Sequence, residues 1–458
     1  MTVLRVLVLV AFAGISCIDP ATTNTADKND KMSHPHFEPL DWVKQTNIYE
    51  VNLRQYTPEG TFNAFAKELP RLKDMGAQVI WFMPITPIAT EKHKGSLGSY
   101  YACSDYMATN PEFGSLDDFK QLVKQAHDLD LKVIIDWVAN HTGYGHVWTK
   151  TNPEYFKKNE QGQFFDKNGW DDVIDLDYSN IDMRKTMIRA MDFWVKETDI
   201  DGFRCDMAML VPLDFWKDAR AALDARKKLF WLAECEEVNY HEAFDATYSW
   251  EWMHKTEDFA KGRTDIAGLD SLLHRINEQY PAPAYKVYFT SNHDENSWNG
   301  TEFEKYGPAA PALAVFAATW NGIPMVYSGQ ELPSHKRLKF FDKDPIEWTG
   351  KYELHDFYKT LLHLHSTHPA LRAGDAAVTT YRLQTNVNDA LFGFLRKNGK
   401  DEVLVLLNLS NRDNLNVDIT DDIVQGKFKE IFSGDEHDFS ASRQYTIPAW
   451  GYRVFTKS

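Results

Sequence analysis

Cysteine is scarce in this chain, with four in 458 residues: Cys17, Cys103, Cys205 and Cys235. With Cys17 assigned to the N-terminal leader, as argued below, three remain. They cannot all pair, and they lack the close spacing of a zinc site. Disulfides and metal clips are therefore not expected to hold the fold, and buried structural thiols are the default. Positive charge is also short: 50 Lys and Arg against 66 Asp and Glu leave a formal net charge of −16. A surface of that sign is unsuited to neutralising phosphates, which argues against nucleic acid and anionic membrane surfaces as partners. Long apolar runs are missing as well. The one run of note, Val6 to Ala13 behind Arg5, is too short to span a bilayer but fits the core of an export signal.

That run ends in Ala13-Gly14-Ile15-Ser16-Cys17, small residues leading to a cysteine. The pattern is similar to a bacterial lipoprotein cleavage site with Cys17 as the acylated residue, although Gly14 replaces the usual Leu three positions before it. Lipid attachment at Cys17 and ordinary signal cleavage both satisfy it, and both imply export, to the periplasm or the outer cell surface. Residues 1–17 are read as this leader. The polar stretch Asp19 to Lys31 makes 18–40 a flexible tether.

What the chain has in quantity is aromatic surface, with 14 Trp, 20 Tyr and 28 Phe, which serves either a large core or stacking on the apolar faces of sugars. From Asp41 to about Ala370, short apolar runs alternate with helical stretches, the rhythm of a parallel (β/α)8 barrel. Asn47–Leu53, Gln78–Met83, Lys132–Trp137, Ile200–Asp206, Leu229–Glu234 and Val287–Ser291 read as strands. Between them Phe62, Phe65, Leu69, Leu72 and Met75, and later Met187, Ala190, Met191 and Trp194, recur at helical spacing. The polar excursion 138–180 is too long for a simple connection and reads as a small inserted domain within a barrel spanning 41–374. Beyond about Asp375 the strand-like runs Leu391–Leu395, Val403–Leu407 and Tyr445–Phe455 indicate an antiparallel β domain over 375–458.

In such a barrel the chemistry lies at the carboxyl ends of the strands. Four strand ends carry ionisable groups: Asp136-Trp137-Val138-Ala139-Asn140-His141, Gly202-Phe203-Arg204-Cys205-Asp206, Glu234 after Leu232-Ala233, and Asn292-His293-Asp294. Strand alternation puts Arg204 and Asp206 on one face and Cys205 on the other, and likewise separates Glu234 from Cys235, so both thiols read as packing residues. Converging carboxylates raise one another's pKa and need a cation, which Arg204 supplies. Any one of these motifs alone reads equally well as a structural ion pair. Four of them at separate strand ends of one barrel point to a site.

With these motifs, and with Gly98-Ser99-Tyr100-Tyr101, Asn110-Pro111-Glu112-Phe113-Gly114 and Gly322-Ile323-Pro324-Met325-Val326-Tyr327-Ser328-Gly329-Gln330-Glu331, the chain resembles the α-amylase family of retaining glycoside hydrolases from about Trp42 onward. The resemblance implies a TIM barrel with 138–180 as the B domain and 375–458 as a C-terminal β-sandwich. It implies Asp206 as nucleophile, Glu234 as general acid/base and Asp294 as the third, substrate-binding carboxylate. Tyr101, Asp136, His141, Arg204 and His293 would be substrate-binding residues of the same site. The implied activity is double-displacement cleavage of α-glucosidic, mainly α-1,4, bonds in starch or maltodextrins, with no cofactor required for the chemistry.

Two departures bear on what this family reading implies. Met209-Leu210 stands where endo-acting members carry Lys-His, which leaves maltodextrin- or cyclodextrin-processing and transglycosylation open as alternatives. Structural calcium is uncertain: Asn140 and Asp175 fall where many members place ligands, but the short insertion is poor in further oxygens. A non-catalytic glycan-binding barrel is the contrasting reading, and it is disfavoured because all three carboxylates are present.

Overall fold

The computed structural model describes residues 37–457 apart from Pro39 and Ala282. The leader with Cys17 and most of the 18–40 tether lie outside the described residues.

Strands β1 (Ile48–Val51), β2 (Val79–Phe82) and β3 (Lys132–Trp137) precede a small antiparallel pair, β4 (His141–Gly143) and β5 (Val173–Asp175). After that pair come β6 (Gly202–Cys205), β7 (Phe230–Ala233), β8 (Ala246–Tyr248), β9 (Tyr285–Tyr288) and β10 (Ile323–Tyr327). Leaving out the β4–β5 pair, eight parallel strands close into a barrel in the order β1-β10-β9-β8-β7-β6-β3-β2. Two of these strands, β8 and β10, are not among the six read from sequence, and β9 ends at Tyr288, short of the expected Ser291. The NHD motif therefore lies on the loop beyond the strand.

Local chemistry sets the connecting helices. Ser115 and Asp118 form a reciprocal capping box that starts the helix Leu116–Asp128. Asn180 caps Ile181–Thr198 by accepting from the N–H groups of Asp182 and Met183. Gly202 is required where β6 meets β7, because a Cβ there would lie 2.0 Å from the Phe230 carbonyl oxygen.

The C-terminal strands are β11 (Thr379–Arg382), β12 (Leu391–Asn398), β13 (Asp401–Asn408), β14 (Leu415–Asp418), β15 (Lys427–Glu430), β16 (Glu436–Asp438), β17 (Gln444–Ile447) and β18 (Tyr452–Lys457). Six of them form one sheet, β11-β12-β13-β18-β15-β16, and β14 pairs with β17. Alternation along β12 and β13 divides the side chains between two cores. Phe392, Phe394, Val403 and Val405 join the barrel core, and Leu391, Leu395, Leu404 and Leu406 join a separate core with Val417, Phe428 and Ile447. Phe316 of the barrel helix Ala310–Thr319 meets Phe392 at 4.7 Å between ring centres. Each such buried aromatic contributes about 1.5–3 kcal/mol, so this sheet is tied to the barrel flank.

The three cysteines Cys103, Cys205 and Cys235 are buried and unpaired. Among the described residues no helix is long and apolar enough to cross a membrane.

Candidate active site

Strand register assembles the centre. In the β3–β6 pair Asp136 lies beside Arg204, and in β6–β7 Arg204 lies beside Leu232. Two residues further along, on the same face, come Asp206 and Glu234. One guanidinium then serves three carboxylates. Arg204 Nη1 donates to both oxygens of Asp136 at 3.0 Å and to Asp206 Oδ1 at 2.9 Å. Its Nη2 makes an ion pair with Glu234 Oε2 at 2.7 Å, and its Nε donates to the Tyr248 hydroxyl at 3.3 Å. Trp81 and Tyr248 pack over the guanidinium carbon at 4.9 and 5.4 Å, so the cation is fixed without contact with water.

The residue between the two strands' chemistry is strained. Met207 has φ 39°, in the left-handed region that non-glycine residues avoid. That turn aims its N–H at Glu234 Oε2, 2.9 Å away, linking the backbone behind Asp206 to the neighbouring acid.

The two carboxyls differ in proton affinity. Burial pushes Glu234 up to about 7, with Arg204 opposing and the charges of Asp206 and Asp294 reinforcing. Burial likewise raises Asp206 to about 6, again against Arg204 and with Asp136 and Asp294 adding to the rise. Asp294 goes the other way: burial alone would raise it, but the His293 imidazolium beside it leaves it below the usual carboxylate value.

His293 is held by a residue that the sequence reading passed over. Glu50 of β1, fully buried, accepts from His293 Nδ1 at 2.5 Å. His293 Nε2 lies 2.8 Å from the Tyr101 hydroxyl and 3.3 Å from Asp294 Oδ2, and Tyr101 donates to Asp136 Oδ2 at 3.1 Å. Burial disfavours the charged ring, but Asp294 and Glu50 outweigh it and raise the His293 pKa well above its ordinary value. A doubly protonated ring satisfies both contacts as a donor. The only signal for Glu50 in the sequence was a lone carboxylate inside an apolar strand.

The cleft above this layer has a volume of about 420 Å³ and is lined by Tyr101, His141, Asp206, Glu234 and Asp294, with Trp170, Trp298, Phe340 and Phe341 around its mouth. Asp136, Arg204 and His293, expected as substrate-binding, do not line it. They form the layer beneath the three carboxylates that line the cleft. His141 does reach the cleft, carries Trp170 edge-on at 5.4 Å, and has a pKa lowered by burial.

The calcium expectation meets a poor donor set. Asn140 directs its amide nitrogen at His141 Nδ1, 3.2 Å away. Asp175, fully buried, places Oδ2 3.3 Å from the Lys157 ammonium, while burial first and a hydrogen bond with Asp166 second raise its pKa. No group of three or more His, Cys, Asp or Glu that could hold a metal occurs among the described residues. A calcium ion takes six to eight oxygens, and here a lysine already answers the buried charge.

Residues 23–170 and 153–347 match the family described as Alpha amylase, catalytic domain. The chain is 25% identical to the alpha-amylase MalA of Haloarcula japonica over 86% of its own length, and spans 59% of that protein. It is 24% identical to a cyclomaltodextrinase of a Bacillus species, covering 81% of this chain and 74% of that one. Among solved structures, the noncanonic maltogenic alpha-amylase AmyB from Thermotoga neapolitana superposes with a TM-score of 0.83 at 30% identity, over 90% of this chain and 99% of the other. The family model spans more than half of the chain, the closed barrel agrees with it, and the chain belongs to the alpha-amylase family.

Proposed function

We propose that this protein is a retaining glycoside hydrolase that cleaves α-glucosidic, mainly α-1,4, bonds in starch or maltodextrins. The observation that carries the reading is the convergence of two carboxyls, Asp206 and Glu234, on one buried guanidinium at the floor of an aromatic cleft, where burial raises both and leaves Glu234, at about 7, the weaker acid. Glu234 gives its proton to the glycosidic oxygen as the Asp206 carboxylate attacks the anomeric carbon, and the leaving sugar departs as an alcohol. The glycosyl ester so formed has no charge, so the repulsion that raised Glu234 falls away. Glu234, now a carboxylate of lower pKa, takes a proton from water, and the resulting hydroxyl displaces Asp206. Arg204 keeps Asp206 oriented throughout, and Asp294 offers a charge to the oxocarbenium-like transition state.

The test is the time-resolved product profile on soluble starch, maltoheptaose, β-cyclodextrin and pullulan, with Asp206→Asn as control. Mixed maltooligosaccharides from starch, first appearing as the α-anomer and abolished by the substitution, support the reading. Selective action on short or cyclic substrates, or products longer than the substrate, moves it to maltodextrin processing or transglycosylation, the alternative suggested by Met209-Leu210. Inactivity of folded protein on all four overturns it.

The proposal has two further parts. The Lys157–Asp175 pair supports a B domain, residues 138–180, that needs no structural calcium. The sequence around Cys17 supports export with a lipid anchor, which labelled fatty-acid incorporation lost in Cys17→Ala tests.

A further inference from the structure

Trp170 and Trp298 are the two exposed tryptophans among the described residues, and both line the cleft. Trp298 is the more open, at 53%. It stands in a π-helical turn, Glu295–Asn299, directly after Asp294. That turn is pinned from below by the buried Lys305–Glu295 ion pair at 2.7 Å. It is pinned sideways by Asn296, which donates to the Lys336 carbonyl at 3.1 Å and accepts from the Leu338 N–H at 2.8 Å. The second tie fixes the turn to the segment that carries Phe340 and Phe341. Trp298 meets Phe340 at 5.3 Å and Phe341 at 5.7 Å, and Phe340 lies within 17° of parallel to Tyr101 at 6.2 Å. A wall of rings thus runs from the floor of the cleft outward, held rigid by two loops bonded to each other.

We propose that Trp298, backed by Phe340 and Phe341, is a stacking subsite for an outer glucosyl unit on the donor side of the scissile bond. The inference rests on the hydrolase reading above and deepens it. The side follows from the chemistry. Glu234 protonates the leaving oxygen, so the leaving sugar lies toward the end of β7. Trp298 and Phe340 follow β9 and β10, and β8 separates these from β7 in the barrel order.

The experiment uses 4-nitrophenyl α-glucoside, α-maltoside and α-maltotrioside, in which the leaving group is constant and the donor alone lengthens. In the wild type kcat/KM is expected to climb along the series. Trp298→Ala should lower the ratio of maltotrioside to glucoside by about tenfold, the equivalent of losing one aromatic stack on the sugar. Trp298→Phe should restore most of the ratio, because it returns an aromatic ring to the same wall. A Trp298→Ala enzyme whose ratio equals that of the wild type, with melting unchanged, would overturn the subsite while leaving the hydrolase reading intact. A wild type active on maltoheptaose whose kcat/KM does not climb along the series would overturn the subsite alone, and a folded wild type inactive on these compounds and on the four glucans would overturn both.

Discussion

Cleavage in this site needs Asp206 ionised and Glu234 protonated at the same moment, and kcat/KM, which reports the free enzyme, should follow that one microstate. The perturbation is pH. Raising it through about 6 ionises Asp206 and switches activity on. Raising it further through about 7 strips the proton from Glu234 and switches activity off. For two steps so placed, the productive form peaks near pH 6.5 at roughly 60% and falls to roughly 9% at pH 5 and at pH 8, a loss of about sevenfold on each side. The assay is kcat/KM for 4-nitrophenyl α-maltotrioside at constant ionic strength from pH 4.5 to 8.5. A profile that is flat above pH 5, or one whose alkaline limb is absent, would refute the burial argument for Glu234. The Asp206→Asn variant separates the causes, since it removes one of the charges that raise Glu234. The Glu234 carboxyl, followed by carbon NMR in that inactive protein, should titrate lower than in the wild type. An unchanged titration would mean that Asp206 has no hold on Glu234, and the switch from acid to base would lose its physical basis.

Three other outcomes follow from the same geometry. Glu50→Gln removes the charge that holds His293, a charge-assisted bond of about 1.5–3 kcal/mol, so kcat/KM should fall by roughly 10- to 100-fold and the His293 ring should titrate at lower pH by NMR; a loss below about twofold contradicts the positioning role. Exhaustive treatment with a calcium chelator should leave the melting temperature within about 2 °C of the untreated protein, because Lys157 already answers Asp175. Lys157→Met should cost on the order of 1–3 kcal/mol in denaturant unfolding at neutral pH, less than for a fully buried pair because Lys157 is a third exposed; a variant as stable as the wild type would reopen the metal question.

The strand-end carboxylates were legible because each strand presents its chemistry within two or three residues of an apolar run. Period-two alternation alone then sorts Arg204 and Asp206 from Cys205. The same rule exposes the C-terminal sheet, whose strands β12 and β13 are long enough to show it. What escaped reading had a physical reason in each case. Strand β8 is three residues, Ala246-Thr247-Tyr248, too short for any periodicity to register. Strand β10 contains Pro324, which counts against a central strand, yet it is tolerated within the parallel β9–β10–β1 run of the barrel. Glu50 was within reach: a carboxylate flanked by Ile48, Tyr49 and Val51 in a fully buried strand is too costly to place without a cationic partner, and His293 is that partner. The wall of Trp298, Phe340 and Phe341 was not within reach, since its members lie some forty positions apart on two loops that side-chain bonds of Asn296 and Arg337 hold together. The clamped pair Asp206 and Glu234 is written at strand ends, where spacing is fixed by the backbone. The ring wall is written into loops, where cross-loop bonds such as those of Asn296 bring distant rings together.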